Sequence, residues 1–325
     1  MKLTINKISY PLTTTFVITG YEFTHSDTIQ ISLEEDGHIG RGEGLGAYYQ
    51  DETQDSMVAQ LEAVRAVIEA GVDQDSIQAL LPTGGARNAL DCALWDLQAK
   101  KSGVAVWDRL KIKPETLVSV ATVGVDTPEN MAIAAQNLAI YSHLKIKLSG
   151  DDPIARLEAI RKARPDAKMV VDVNQGWSFD ELKEYTPAAE KLGIAMIEQP
   201  LARGGDEALE GYKSSVPLGA DESCLNVAEY EVAASRYDVI NIKLDKCGGL
   251  TEGLKLVELA KRDGKGLMVG NMTGTSLSMA PAYVIGQFCQ FVDIDGPLFF
   301  KQDIENALTY TDGGLVSIPM RALWG

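Results

Sequence analysis

Histidine is scarce in this chain: three residues in 325, with His25, His38 and His143 sharing no spacing that could ligate zinc. Cysteine is sparse too. Cys92, Cys224, Cys247 and Cys289 lie far apart and form no C-x-x-C pair, which points to a reduced, cytoplasmic protein. No apolar run approaches the roughly 18–20 residues that span a bilayer. The start, MKLTINKISYPL, lacks the apolar core of a signal peptide. Positive charge is in deficit, with 30 Lys and Arg against 46 Asp and Glu and a net −16 at pH 7. That argues against nucleic acid or an anionic membrane as partner. It does not identify a cationic substrate, because an acidic surface serves solubility alone. No Pro/Ser-rich linker or low-complexity segment divides the chain, so its parts are expected to pack closely.

What is present is a repeat. From about residue 115, apolar runs alternate with helical stretches. The runs are LVSVATV (117–123), HLKIKL (143–148), KMVVDV (168–173), IAMIEQ (194–199), VPLGAD (216–221), VINIKL (239–244), GLMVG (266–270) and QFVDID (290–295). Eight strands, seven of them followed by helical segments, predict an α/β fold of the (β/α)8 barrel type. Residues 1–113 read differently. KLTINKISYPL, DTIQISLEED and HIGRGEG predict an antiparallel meander with a turn at EEDGH, followed by helices around 52–70 and 86–101. The tail GGLVSIPMRALWG is expected to return to this unit as a strand.

The charges keep phase with the strands. Lys147, Asp172, Glu198, Asp221, Lys243 and Asp293 each fall near the C-terminal end of an apolar run, the first five at intervals of 25, 26, 23 and 22 residues. Alternation along a strand then puts Lys145 with Lys147, Asp172 with Asn174, and Asp293 with Asp295 on one face. In such a barrel that end carries the active site. Each carboxylate alone could pair with a lysine or a helix N-terminus. Asp172, Glu198 and Asp221 converging together make a hard-oxygen site suited to Mg²⁺.

Lys145 and Lys147 stand three or four strands from Lys243, on opposite sides of the mouth. A lysine is a poor base at its ordinary pKa, and burial beside another cation is expected to lower it toward neutrality. A base on one side, an acid on the other and a divalent ion at a carboxylate suit proton abstraction next to that carboxylate. Mg²⁺ would stabilise the resulting enediolate. Return of the proton from the opposite face inverts the stereocentre.

K-I-K at 145–147, D-V-N at 172–174, E-Q-P at 198–200, A-D-E-S at 220–223 and N-I-K-L-D-K at 241–246 together resemble the muconate lactonizing enzyme subgroup of the enolase superfamily. ARNALDCALWDLQAKKSGVAVWDRL (86–110) is similar to that family's hallmark helix. The resemblance implies an α+β N-terminal capping domain (1–113, completed by 305–325) over a modified TIM barrel (114–304). It implies one Mg²⁺ per subunit on Asp172, Glu198 and Asp221. Lys147 and Lys243 would form the acid/base pair, with Lys145 as modulating neighbour and Asn174 behind the metal ligands. Family habit also implies a homo-oligomer.

Within the subgroup, D-x-D at the eighth strand marks the dipeptide epimerases, where it binds the substrate's α-ammonium. Asp293 and Asp295 match it. Muconates, succinylbenzoate precursors and N-acylated amino acids lack that ammonium, so o-succinylbenzoate synthase, muconate cycloisomerase and N-acylamino acid racemase stand as alternatives. Family analogy adds Thr122, Asn271 and Met272 to the dipeptide pocket. Side-chain preference in the family resides in mobile cap loops, here 13–28 and 43–53. Members acting on Ala-Glu carry a basic residue in the first loop. This chain has no Lys or Arg between Lys7 and Arg41, and Tyr21 stands near the expected place. The expectation is therefore a hydrophobic or cationic dipeptide, with Ala-Glu as the alternative. A Schiff-base aldolase or a non-catalytic dipeptide-binding protein is the remote one. KCGGLTEG (246–253) reads as a strand-to-helix turn of the barrel and not as a phosphate cradle.

Overall fold

The computed structural model describes residues 1–18 and 20–325; Thr19, within the first cap loop, lies outside the described residues. The N-terminal unit is an antiparallel sheet of β1 (Lys2–Ile18), β2 (Tyr21–Glu35) and β3 (His38–Leu45) in that order. Leu3, Ile29, Ile31 and Leu33 fill its core. Asp36 and Gly37 both adopt positive φ (53° and 77°), the conformation a two-residue hairpin turn demands. The alternating glycines of β3 have a steric reason. A Cβ on Gly40 would lie 2.2 Å from the Ala93 carbonyl oxygen, and one on Gly42 2.0 Å from that of Ala89. Bare backbone lets helix Gly85–Ser102 lie directly on the strand.

The expected helix at 52–70 is two, Gln54–Ala63 and Arg65–Ala70, broken at Val64. The segment 13–28 is largely an extension of the β1–β2 hairpin, its register broken between Pro11 and Phe16.

The run 117–123 divides. Its first part, β4 (Leu117–Val118), pairs with the tail, and its second, β5 (Ala121–Val123), enters the barrel. The barrel continues with β6 (His143–Lys147), β7 (Lys168–Asp172), β8 (Ile194–Glu198), β9 (Leu218–Ala220), β10 (Val239–Ile242), β11 (Gly266–Val269) and β12 (Phe291–Val292). These eight strands are parallel and adjacent in chain order. The Val120 N–H donates to the Val292 carbonyl at 2.9 Å, joining the two ends of the sheet. Val120, Val170, Met196, Val239 and Met268 pack together as a separate buried cluster drawn from strands around the ring.

The connection after β8 differs from the expectation. It holds only a 3-10 turn, Glu207–Leu209, in a segment that Gly204, Gly205 and Gly211 interrupt. The tail also behaves differently. Its strand β14 (Leu315–Val316), reached through β13 (Tyr310–Thr311), pairs with β4 and not with the N-terminal sheet. The residues beyond it do reach the N-terminal unit. Arg41 donates to the carbonyls of Ala322 and Leu323, Trp324 Nε1 to that of Cys92, and the Gly325 N–H to Asp96. Among the described residues no helix is long and apolar enough to cross a membrane.

Candidate active site

The phase read from the sequence becomes a cluster at the C-terminal ends of the barrel strands. Asp172, Glu198 and Asp221 are fully buried, each offering an oxygen within 4.8 Å of the others. Lys145 Nζ lies between strands, 3.0 Å from Asp172 Oδ2, 2.9 Å from Glu198 Oε2 and 2.8 Å from Asp293 Oδ2. Lys147 Nζ donates to Asp172 Oδ2 at 2.6 Å and to Asn174 Oδ1 at 3.1 Å. From the far side, Lys243 Nζ donates to Asp221 Oδ2 at 2.7 Å.

Backbone strain frames the cluster. Asn174, Gln175, Gln199 and Thr273 adopt positive φ just past strand ends. That conformation is unfavourable for residues other than glycine and concentrates at functional sites. It turns Asn174 so that its N–H donates to Asp172 Oδ1, and lets Gln199 Oε1 accept from the N–H groups of Asp221 and Ser223.

The electrostatics run against one expectation. Burial alone would lower Lys145 and Lys243, as read from the sequence. The carboxylates around them outweigh it, and both are raised, Lys145 by Asp293, Glu198 and Asp172 and Lys243 mainly by Asp221. The carboxylates divide. Burial opposes ionisation of all three, yet Lys147 and Lys145 hold Asp172 down at about 2, and Lys243 with Lys246 lower Asp221. Glu198 is pushed up to about 7 by burial and by Asp172.

A cavity of about 390 Å³ opens beside this cluster. Lys147 and Lys243 both line it, with Asn271, Met272 and Thr273 from the barrel. Leu12, Phe16, Ile18, Phe23, Leu45 and Tyr48 supply its apolar wall from the N-terminal unit.

The D-x-D pair lies beyond the end of β12, both residues buried. Asp295 Oδ2 accepts from the Thr122 N–H at 2.9 Å and from Thr122 Oγ1 at 2.6 Å. Asn271 Nδ2 reaches Asp293 Oδ1 at 3.1 Å and Asp295 Oδ1 at 3.4 Å, so it touches both the pair and the cavity. Asp295 is pushed up to about 8 by burial and by Asp293. Of the expected pocket residues, Asn271 and Met272 line the cavity. Thr122 instead grips Asp295. Tyr21 is 44% exposed and packs its ring 4.4 Å from that of Tyr48, which lines the cavity in its stead.

Three polar residues of the cluster escaped the sequence reading. Lys246 Nζ donates to Asp221 Oδ1 at 2.6 Å and to three backbone carbonyls. Its signal was the spacing: three residues after Lys243 is one helical turn. Asn241 Nδ2 donates to Glu198 Oε1 at 2.7 Å, and strand alternation with Lys243 would have found it. Glu222 accepts from Asn174 Nδ2 at 3.3 Å and is pushed up to about 8 by burial, Asp221 and Asp172. No alternation signal marks it, because β9 has already ended at Ala220.

Known proteins resemble this chain in sequence and fold. The enolase C-terminal domain-like family model matches residues 129–321, and that of the mandelate racemase / muconate lactonizing enzyme N-terminal domain matches residues 7–110. The L-Ala-D/L-Glu epimerase of Escherichia coli is 39% identical over 310 residues, covering 94% of this chain and 97% of that one. An N-acetyl-D-glutamate racemase from a Pseudoalteromonas species is 42% identical over 245 residues, 75% of this chain and 78% of that one. An enolase family member from Agrobacterium tumefaciens, with bound sodium and L-Ala-L-Glu, superposes with a TM-score of 0.96 at 38% identity over 99% of both chains. The dipeptide epimerase of Enterococcus faecalis, complexed with Mg and L-Leu-L-Tyr, does so with a TM-score of 0.89 at 26% identity, covering 98% of this chain and 96% of that one. The chain belongs to the dipeptide epimerase family, in the muconate lactonizing enzyme subgroup of the enolase superfamily.

Proposed function

We propose that this chain is a Mg²⁺-dependent dipeptide epimerase that inverts the α-carbon of the C-terminal residue by two-base proton transfer. One observation carries the reading: Lys147 and Lys243 face a single cavity from opposite sides of three converging carboxylates.

The residues fit a divalent cation by charge as well as by donor type. Six buried carboxylates (Asp172, Glu198, Asp221, Glu222, Asp293, Asp295) meet four buried ammoniums (Lys145, Lys147, Lys243, Lys246), a formal excess of two negative charges. Glu198, Glu222 and Asp295 are raised first by burial and then by the neighbouring carboxylates of that excess. Asp172, Glu198 and Asp221 would hold Mg²⁺, which supplies Lewis-acid chemistry at a substrate carboxylate. Lys147 and Lys243 then remove and return the α-proton from opposite faces, Lys145 modulates them, and Asn174 orients Asp172 and Lys147. Asp293 and Asp295, held by Asn271 and Thr122, receive the dipeptide ammonium. The proposal includes a cap of residues 1–113 with 305–325 over a barrel of 114–304, working as a cytoplasmic homo-oligomer.

The cavity wall supports a hydrophobic or cationic side chain. It combines aromatic side chains (Phe16, Phe23, Tyr48) with carboxylates (Asp27, Glu52, Asp55), and among the described residues its lysines are Lys147 and Lys243, with no arginine. A second reading, Ala-Glu, is favoured by the Escherichia coli and Agrobacterium relatives and by His25, the remaining basic side chain in that wall. Incubating a panel of L,L-dipeptides with Mg²⁺ in D₂O tests both. Deuterium should enter the α-position of the second residue, and the fastest member identifies the side chain. No exchange across the panel would sink the proposal.

A further inference from the structure

The turn that carries Lys243 also grips the N-terminal unit. Residues Leu244–Cys247 form one helical turn after β10, and Asp245 within it is fully buried. Asp245 Oδ1 accepts from the Leu45 N–H at 2.9 Å and from Asn88 Nδ2 at 2.7 Å. Both donors belong to the N-terminal unit. Leu45, Gly46 and Tyr48, from one short segment, all line the cavity that Lys243 faces. The far end of that segment is pinned by Glu52, whose Oε2 accepts from the N–H groups of Ala47 and Gly85.

The barrel side of this contact is independently fixed. Lys246, next to Asp245, is tied to Asp221 and to the Asn241 carbonyl. Loss of the Asp245 carboxylate would therefore leave Lys243 in place and release the cavity wall opposite it.

We infer that Asp245 is a positioning residue: it sets the spacing between wall segment 45–48 and Lys243, and so registers the substrate side chain against the reacting lysine. The inference rests on the epimerase reading above. Asp245→Ala strands the buried Leu45 N–H and leaves the Asn88 amide only its longer bond to the Glu43 carbonyl, while sparing every lysine and metal-ligand carboxylate. KM should rise about tenfold, with kcat within about threefold of wild type. Side chains long enough to reach Leu45 and Tyr48 should suffer more than Ala-Ala. Asp245→Asn keeps an acceptor oxygen and should bring KM back to within about threefold of wild type.

A merely structural role predicts a different pattern, in which a smaller folded fraction lowers kcat and leaves KM unmoved. That result overturns the inference. Hydrogen exchange gives a second reading. The Leu45 amide should lose protection in Asp245→Ala and keep it in Asp245→Asn, and unchanged protection in the alanine variant also overturns the inference. Should Asp245→Ala fail to fold, Asn88→Ala carries the same comparison with a KM rise of about threefold. If the wild type exchanges no dipeptide at all, the epimerase reading has failed, and protection of the Leu45 amide still decides whether Asp245 anchors the segment.

Discussion

Replacing Glu43 with glutamine should flatten the pH dependence of this protein's stability. Glu43, on β3, is buried against the barrel. Its Oε1 accepts from the Thr275 N–H at 2.8 Å, and its Oε2 from Thr275 Oγ1 and Gln30 Nε2, both at 2.7 Å. Burial outweighs those bonds and pushes its carboxyl up from 4.5 to about 7. The fold therefore favours the protonated form. The stabilisation is fully present below pH 4.5 and is lost as pH rises through about 7. At about 1.36 kcal/mol for each pH unit between those limits, it amounts to about 3 kcal/mol, of which roughly 2.5 disappears between pH 5 and pH 8.

Asp245, pushed from 3.8 to about 7, and Asp91, pushed to about 6, contribute in the same direction. The informative quantity is thus the difference between variant and wild type. Urea denaturation at the two pH values should show the wild type losing about 2.5 kcal/mol more than Glu43→Gln over that interval. Glutamine keeps the volume and one acceptor oxygen, and does not titrate. Parallel stability curves for the two proteins would refute the reasoning.

Two further expectations concern the site. Lys147→Ala and Lys243→Ala should each abolish epimerisation, yet each should retain exchange of the α-proton in one epimer only, opposite for the two variants. NMR in D₂O with L,L- and L,D-dipeptides reads this directly, and loss of both exchanges in both variants would argue against assigning one face to each lysine. Asp293→Asn and Asp295→Asn should raise the dipeptide Kd at least tenfold, the loss expected for an unpaired buried ammonium, while Mg²⁺ binding by calorimetry stays nearly unchanged. Loss of Mg²⁺ affinity would instead assign the pair to the metal.

The barrel and the charged cluster were legible because period and phase survive in one dimension. Lys147, Asp172, Glu198, Asp221 and Lys243 recur once per strand-helix unit, and the cluster they form is the one the spacing implies. Where strands end was not legible. The apolar run 117–123 looks continuous, yet it serves two sheets, since hydrophobicity does not say which neighbour a strand will meet. Asp293 and Asp295 follow the end of β12, so alternation alone does not place them. Neighbours in other elements do, through Thr122 and Asn271. The direction of the lysine shifts was not legible for a related reason. Their sign depends on how many carboxylates crowd each ammonium, and that number is a property of the closed ring. Tyr21 and Tyr48 are equally aromatic in sequence, and only the packing of the hairpin against residues 48–50 decides which one reaches the cavity.

The bond between Val120 and Val292 joins chain positions made at opposite ends of the barrel's synthesis. Across that same seam Asp295 meets Thr122, 173 residues apart. The carboxylates of β7, β8 and β9, by contrast, come from strands adjacent in both sequence and space. A nascent chain could thus assemble the triad locally, whereas Asp295 gains Thr122 only when the last strand docks on the first. Completing the barrel and completing that contact are therefore one event, and a copy that stops short of the last strand has no bond between Thr122 and Asp295.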